Sequence, residues 1–176
     1  MASPFEVLQA VESECLSKAA GLPILDDVKQ SWTGIGFRIG DMELVASMDE
    51  VAEILHMPPY TSIPGVRSWM VGLANVRGNL LPLMDLKGFV TGQDVSSKKK
   101  SRVVVARHED GMTGLVVDEI LGLKHFYLEE QVFEIPSLVD SYRPYIKMAF
   151  KNADQHWPVF SIKKLAQQEK FLQIAI

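Results

Sequence analysis

Three short turn signals, each set between apolar stretches of strand length, constrain this chain more than any other feature. Gly40-Asp41 follows Ile35, Phe37 and Ile39, which alternate with Gly34, Gly36 and Arg38, and it precedes a return strand from Met42 to Met48. Alternation with period two places the apolar side chains on one face of a strand. A Gly-Asp pair reverses the chain in two residues. Gly78-Asn79 separates Leu73–Arg77 from Leu80–Leu86 in the same way, and Asp110-Gly111 separates Arg102–His108 from Met112–Asp118. Three tight hairpins predict an antiparallel meander or barrel.

A faint repeat accompanies the hairpins. Gly40-Asp41-Met42 leads through Leu44-Val45 to Asp49-Glu50-Val51 and Ile54-Leu55. Asp110-Gly111-Met112 leads through Leu115-Val116 to Asp118-Glu119-Ile120-Leu121. Each copy is a hairpin, an acidic corner and an apolar run. From the pattern alone, two small barrels built on one duplicated plan and a chance likeness of hairpins stay equally open.

The flanks read differently. Phe5, Leu8, Val11, Cys15, Leu16 and Ala19 follow a helical period. Ser3 is placed to cap that helix, Glu6 to complete a capping box, Pro4 to take the first helical position, and Gly21 to end it. Leu22–Gln30 reads as a linker. The helix is expected to fold back on the main domain; docking on a partner and dimer formation are its other uses. Thr91–Ser101 is a polar loop whose Lys98-Lys99-Lys100 run is too short for a lipid or nucleic-acid patch. Ser161 is placed to cap a helix through Leu165 and Ala166. The apolar end, Phe171–Ile176, is expected to dock on the barrel or on a partner. The expected organisation is therefore 1–30 as helix and linker, 31–168 as the main domain, and 169–176 as a tail.

Composition narrows function. The 176 residues carry a formal charge of −4, which disfavours a phosphate-tracking surface and so a nucleic-acid partner. The single cysteine, Cys15, makes no internal disulfide and suits a reducing compartment. Met1–Ala10 shows no basic region followed by an apolar run, so no secretory signal is expected there, and no apolar run approaches the roughly 18 residues of a membrane span. The expected location is the cytoplasm. His56, His108, His125 and His156 show no metal-ligand spacing, and His108-Glu109 reads as a solvated pair beside a turn. Gly34, Gly36 and Gly40 miss the dinucleotide fingerprint by one position, and a strand follows where a helix N-terminus is required. There is no phosphate-loop lysine motif and no serine on a strand-to-helix elbow. The sequence thus shows no constellation of catalytic or metal-binding residues.

The most informative segment is Gly72-Leu-Ala-Asn75-Val-Arg77-Gly78-Asn-Leu-Leu-Pro82-Leu-Met-Asp85-Leu86. Gly78 supplies positive φ for a hairpin. Pro82 removes a backbone donor, which places its strand at an edge or a bulge. Arg77, at the mouth of a turn, presents a planar cation suited to a carboxylate. The plainer reading is a solvated arginine, worth under about 1 kcal/mol in any surface pair.

This segment resembles the Asn-x-Arg-Gly-x-x-x-Pro-x-x-Asp-Leu signature of CheW-like domains. Gly114-Leu-Val-Val-Asp118-Glu119-Ile-Leu-Gly122 is similar to the family's Gly-x-x-Val-Asp strand, and the resemblance runs from about Ser31 to Gln168. The N-terminal extension, Trp32-Thr-Gly-Ile-Gly-Phe37-Arg38, Pro64-Gly65 with Trp69, and Trp157-Pro158-Val-Phe160-Ser161 resemble the branch of the family that serves type IV pilus chemosensing. The resemblance implies a mainly β fold: two intertwined five-stranded barrels with N-terminal and C-terminal helices. It implies no catalysis and no cofactor. It also implies an adaptor that joins the cytoplasmic tip of a methyl-accepting chemoreceptor to the regulatory domain of a CheA-like histidine kinase, at membrane-associated arrays.

Arg77 then matches the family's receptor-contact arginine, and Glu53 the acidic residue that pairs with it. Val51, Ile54 and Val76 are the expected apolar contacts. Asn75, Gly78, Pro82 and Asp85 are expected to determine the fold. Three other readings compete: a small-molecule-binding β-barrel, a disguised enzyme, and a flagellar chemotaxis adaptor of the same family. A hydrophobic surface groove beside Arg77 favours an adaptor over the first two.

Overall fold

The computed structural model describes residues 4–18, 30–93, 101–109, 111–135, 138–152 and 155–175. The chain starts with α1 (Pro4–Lys18). It then forms β1 (Ser31–Ile39), β2 (Met42–Ser47), β3 (Val51–His56), β4 (Tyr60–Thr61), β5 (Met70–Val76), β6 (Asn79–Asp85) and α2 (Leu86–Thr91). The same succession follows as β7 (Arg102–His108), β8 (Gly111–Val117), β9 (Glu119–Tyr127), β10 (Gln131–Val132), β11 (Ile146–Asn152), β12 (Gln155–Phe160) and α3 (Ile162–Ala166), with α4 (Glu169–Leu172) last.

The β1–β2 hairpin has the expected turn: Ile39 faces Met42, leaving Gly40-Asp41 between them. The other two turns sit one residue earlier than expected. Val76 faces Asn79, so the turn is Arg77-Gly78. His108 faces Gly111, so Gly111 belongs to strand β8 and not to the turn. Either register of β5 against β6 turns the same side chains inward, so apolar alternation does not separate them. The choice is made locally. Asn75 Oδ1 accepts a hydrogen bond from Gly78 N at 2.9 Å. Arg77 and Gly78 both take positive φ, +52° and +85°, as a two-residue type I′ turn requires.

The strands form two sheets, in the orders β10-β11-β12-β2-β1-β9 and β4-β5-β6-β8-β7-β3. Each has five long strands and a sixth of two residues. The two orders coincide when β7–β12 stand for β1–β6. Every sheet thus takes a hairpin from one repeat and four strands from the other. Parallel contacts join the repeats: Val159 faces Val45, and Leu83 faces Gly114. Details recur as well. Pro158 faces Ala149 as Pro82 faces Leu73. Ser161 Oγ caps α3 through Lys164 N as Asp85 Oδ1 caps α2 through Gly88 N. The faint sequence repeat is a duplicated and interlocked plan.

Three apolar cores follow from this exchange. One barrel closes on Val45, Phe126, Phe150, Trp157 and Val159, with the Phe126 and Phe150 rings stacked 4.7 Å apart. The other closes on Val71, Ala74, Leu81, Leu83, Val103, Val105 and Val116. Between them lies a shared core that includes Phe37, Leu44, Met84, Phe89, Leu115, Phe160 and Leu165. Burial raises the phenol pKa of Tyr142 and of Tyr145 in that core.

Several expectations need correction. Helix α1 does not fold back: Phe5, Leu8, Val11 and Cys15 are all exposed. Its caps at Ser3 and Gly21, the linker up to residue 29 and the Lys98–Lys100 run lie outside the described residues. Pro82 is not on an edge strand, because β6 lies between β8 and β5. The proline is accommodated because the β8 ladder covers only Leu83–Asp85 and leaves its donor position unclaimed there. His108 is not a solvated residue. Its Nε2 lies 3.0 Å from Thr113 Oγ1 and its ring meets Phe171 edge-on. The C-terminal end docks on the barrel: Phe171 is buried, Arg67 N donates to Ile174 O at 3.0 Å, and Val66 bridges Ala175.

Candidate functional site

The two elements that carry Glu53 and Arg77 are shaped for display. In β3, Val51 faces Ala106 and Glu53 faces Val105, so Ala52 forms a bulge. The extra residue turns Val51 toward the shared core and Glu53 toward the side of Val105. Arg77 projects from the β5–β6 turn. Its Nη2 lies 3.0 Å from Glu53 Oε2, with the arginine side chain 78 % exposed and the glutamate 29 %. A pair so exposed contributes less than about 1 kcal/mol. A non-glycine residue held at positive φ costs about 1–3 kcal/mol. Arg77 is the only such residue among those described. The ion pair does not offset the strain, so folding alone does not account for arginine here.

Beside the pair runs a groove of about 440 Å³ lined by Glu53, Val76, Arg77, Asn79, Leu80, Leu81, Val105 and Met112. Leu80 is 72 % exposed and Met112 45 %. The structure therefore brings Glu53, Arg77 and Val76 together. It does not bring Val51 or Ile54 to them. Val51 packs on the shared core, and Ile54 faces Val104 on the other side of β3. Sequence reasoning missed Leu80 and Met112. Leu80 carried a signal: it falls out of phase with the inward Leu81 and Leu83, so an apolar residue had to face outward. Asn75, Gly78 and Asp85 act within the fold, through the turn and the α2 cap.

The matching end of the other barrel is polar. Gln155 hydrogen-bonds Glu43 there, and Arg38 Nη2 pairs with Glu119 Oε2 at 2.8 Å. That hydrogen bond holds the Arg38 pKa above its ordinary value. The acidic corners also serve the fold. Asp118 Oδ2 accepts from Gly40 N at 2.6 Å, and Glu50 Oε2 accepts from Ile162 N at 3.1 Å at the start of α3. Among the described residues no group of three His, Cys, Asp or Glu side chains is placed to hold a metal, and no helix is long and apolar enough to cross a membrane. The groove thus offers a strained, exposed cation, a partner carboxylate and unsatisfied apolar surface, which suit recognition of another macromolecule.

Comparison with known proteins places this architecture. Residues 33–170 match the model of the CheW-like domain. The chain is 44 % identical over 174 residues to Protein PilI of Pseudomonas aeruginosa, covering 99 % of this chain and 97 % of that protein. Protein FrzA of Myxococcus xanthus is 31 % identical over 88 residues, half of this chain and 55 % of FrzA. A crystal structure of the scaffolding protein TtCheW from Thermoanaerobacter tengcongensis superposes with a TM-score of 0.69 at 18 % identity, covering 80 % of this chain and 96 % of that one. The double barrel is the CheW fold. This chain belongs to the CheW-like family.

Proposed function

We propose that this protein is a non-catalytic adaptor that couples a methyl-accepting chemoreceptor to a CheA-like histidine kinase, and that the assembly it serves controls type IV pilus twitching motility. The observation that carries the coupling reading is the groove beside the strained, exposed Arg77. An amphipathic receptor helix laid there would bury Val76, Leu80 and Met112, and its carboxylates would meet Arg77. Each fully buried apolar side chain supplies roughly 1.5–3 kcal/mol, so the apolar contacts give affinity and the arginine gives register. The kinase's regulatory domain, elsewhere on the barrels, is the second partner. Coupling is then thermodynamic: the adaptor shifts the kinase between states by binding them with different affinity. The pilus assignment is supported by the near full-length similarity to PilI. Recruitment to membrane-associated, polar receptor arrays from the cytoplasm belongs to the same proposal.

Calorimetric titration of the receptor's cytoplasmic tip into wild type, Arg77→Glu and Leu80→Asp tests the site. Both variants are expected to lose receptor binding at least tenfold while binding the kinase domain as wild type does. Unchanged receptor affinity in both would remove the groove from the mechanism.

A further inference from the structure

Among the described residues, none covers the apolar stripe that helix α1 presents. Phe5, Leu8, Val11 and Cys15 recur at helical spacing on one side. Phe5 is 68 % exposed and Leu8 67 %. Glu12, four residues beyond Leu8, falls within the stripe, and the helix as a whole has Glu6, Glu12 and Glu14 against the single Lys18. On the same molecule the groove beside Arg77 is open, its Leu80 and Met112 exposed and its cation outermost. An acidic amphipathic helix and an apolar groove with a cation at its mouth complement each other in shape and in charge. Among the described residues neither the stripe nor the groove is filled, and α1 does not lie in the groove of its own chain.

We infer that α1 of one copy docks in the groove between Arg77, Leu80 and Met112 of a second copy, with Glu12 facing Arg77. The exchange is reciprocal: each molecule lends a helix and receives one, which closes the assembly at two. The stretch from Ala19 to Gln30 gives the helix a reach of at most roughly 40 Å from β1. That such a dimer withholds the groove from a receptor helix rests on the proposed function. The docking itself rests only on the stripe and the groove, and it is tested without any receptor.

Cys15, the only cysteine in the chain, is the probe. Cysteines are introduced singly by Leu80→Cys and Met112→Cys, and the full chain is mildly oxidised at tens of micromolar. The expected product is a species of twice the chain mass, with Cys15 joined to the introduced thiol, as identified by peptide mass spectrometry. Adding Leu8→Asp or Arg77→Glu should cut its yield at least tenfold. Light scattering of the unmodified protein should give a dimer that becomes a monomer with Leu8→Asp. A linked product of single-chain mass would overturn the second-copy assignment. A monomeric wild type without linked product, or a dimer indifferent to Leu8→Asp, would overturn the docking. Receptor binding lost with Arg77→Glu but self-association absent would leave the adaptor reading standing and this inference refuted.

Discussion

Arg77 holds a left-handed backbone that glycine would hold without strain. Its exposed pair with Glu53 returns less than that conformation costs. Arg77→Gly is therefore expected to raise stability by about 0.5–1 kcal/mol, which for a domain of this size raises Tm by about 1–4 °C, while receptor binding falls at least tenfold. Differential scanning calorimetry and a binding titration on the same preparation check both halves. A variant that loses stability would show that Arg77 serves the fold after all. The resemblance of Asn75-x-Arg77-Gly78 to the family signature singled out this residue, and the resemblance around Val51-Ala52-Glu53-Ile54 named Glu53 as its neighbour, which lies 3.0 Å away. The strain at Arg77 was not legible, because apolar alternation around the turn is the same in either register. Leu80 was legible as an outward residue from its phase against Leu81 and Leu83, but its grouping with Met112 was not, because the groove joins strands far apart in the chain.

At the level of elements, small polar side chains set where strands stop. Asp85 is buried, and its Oδ1 accepts from Gly88 N at 2.7 Å, so it ends β6 and starts α2. Asp85→Ala removes that cap and is expected to cost about 1–2 kcal/mol; chemical denaturation would show a lower midpoint with an unchanged slope. The β3 bulge at Ala52 separates Val51 from Glu53 onto different faces. An unbroken alternation would have kept Val51 on the face of Glu53, where the resemblance had placed it as a contact. Hairpins were visible in sequence because turn chemistry is local. The bulge was not, because it depends on the partner strand β7. Helix α1 was visible as a helix, but its exposure was not, because an amphipathic period shows that a face exists and not what meets it.

For the whole molecule, the exchange of hairpins between repeats has a thermodynamic consequence. Neither barrel contains all its strands from one half of the chain. Substitutions in the two separate cores, such as Leu83→Ala and Phe150→Ala, are expected to lower one common thermal transition, each by about 2–5 kcal/mol. Two resolved transitions would contradict the interlock. Gly114 marks the junction: it faces Leu83 across the parallel contact, and a Cβ there would lie 2.6 Å from Leu83 Cδ2 and 2.8 Å from Val103 Cγ1. Gly114→Val is expected to destabilise by about 1–3 kcal/mol through overpacking, read as a fall in Tm. The sequence hinted at the duplication through its acidic corners and hairpins. It could not show which repeat pairs with which, since strand exchange is decided by contacts far apart in the chain.

Bridging is the central claim, and sedimentation of the three components tests it most directly. The receptor's cytoplasmic tip, carrying a fluorescent label, is centrifuged with the CheA-like kinase's regulatory domain, with and without this protein. The account predicts that the two co-sediment only when this protein is present, and that Arg77→Glu releases the receptor and leaves the kinase bound. Receptor and kinase that sediment independently in its presence would contradict the account.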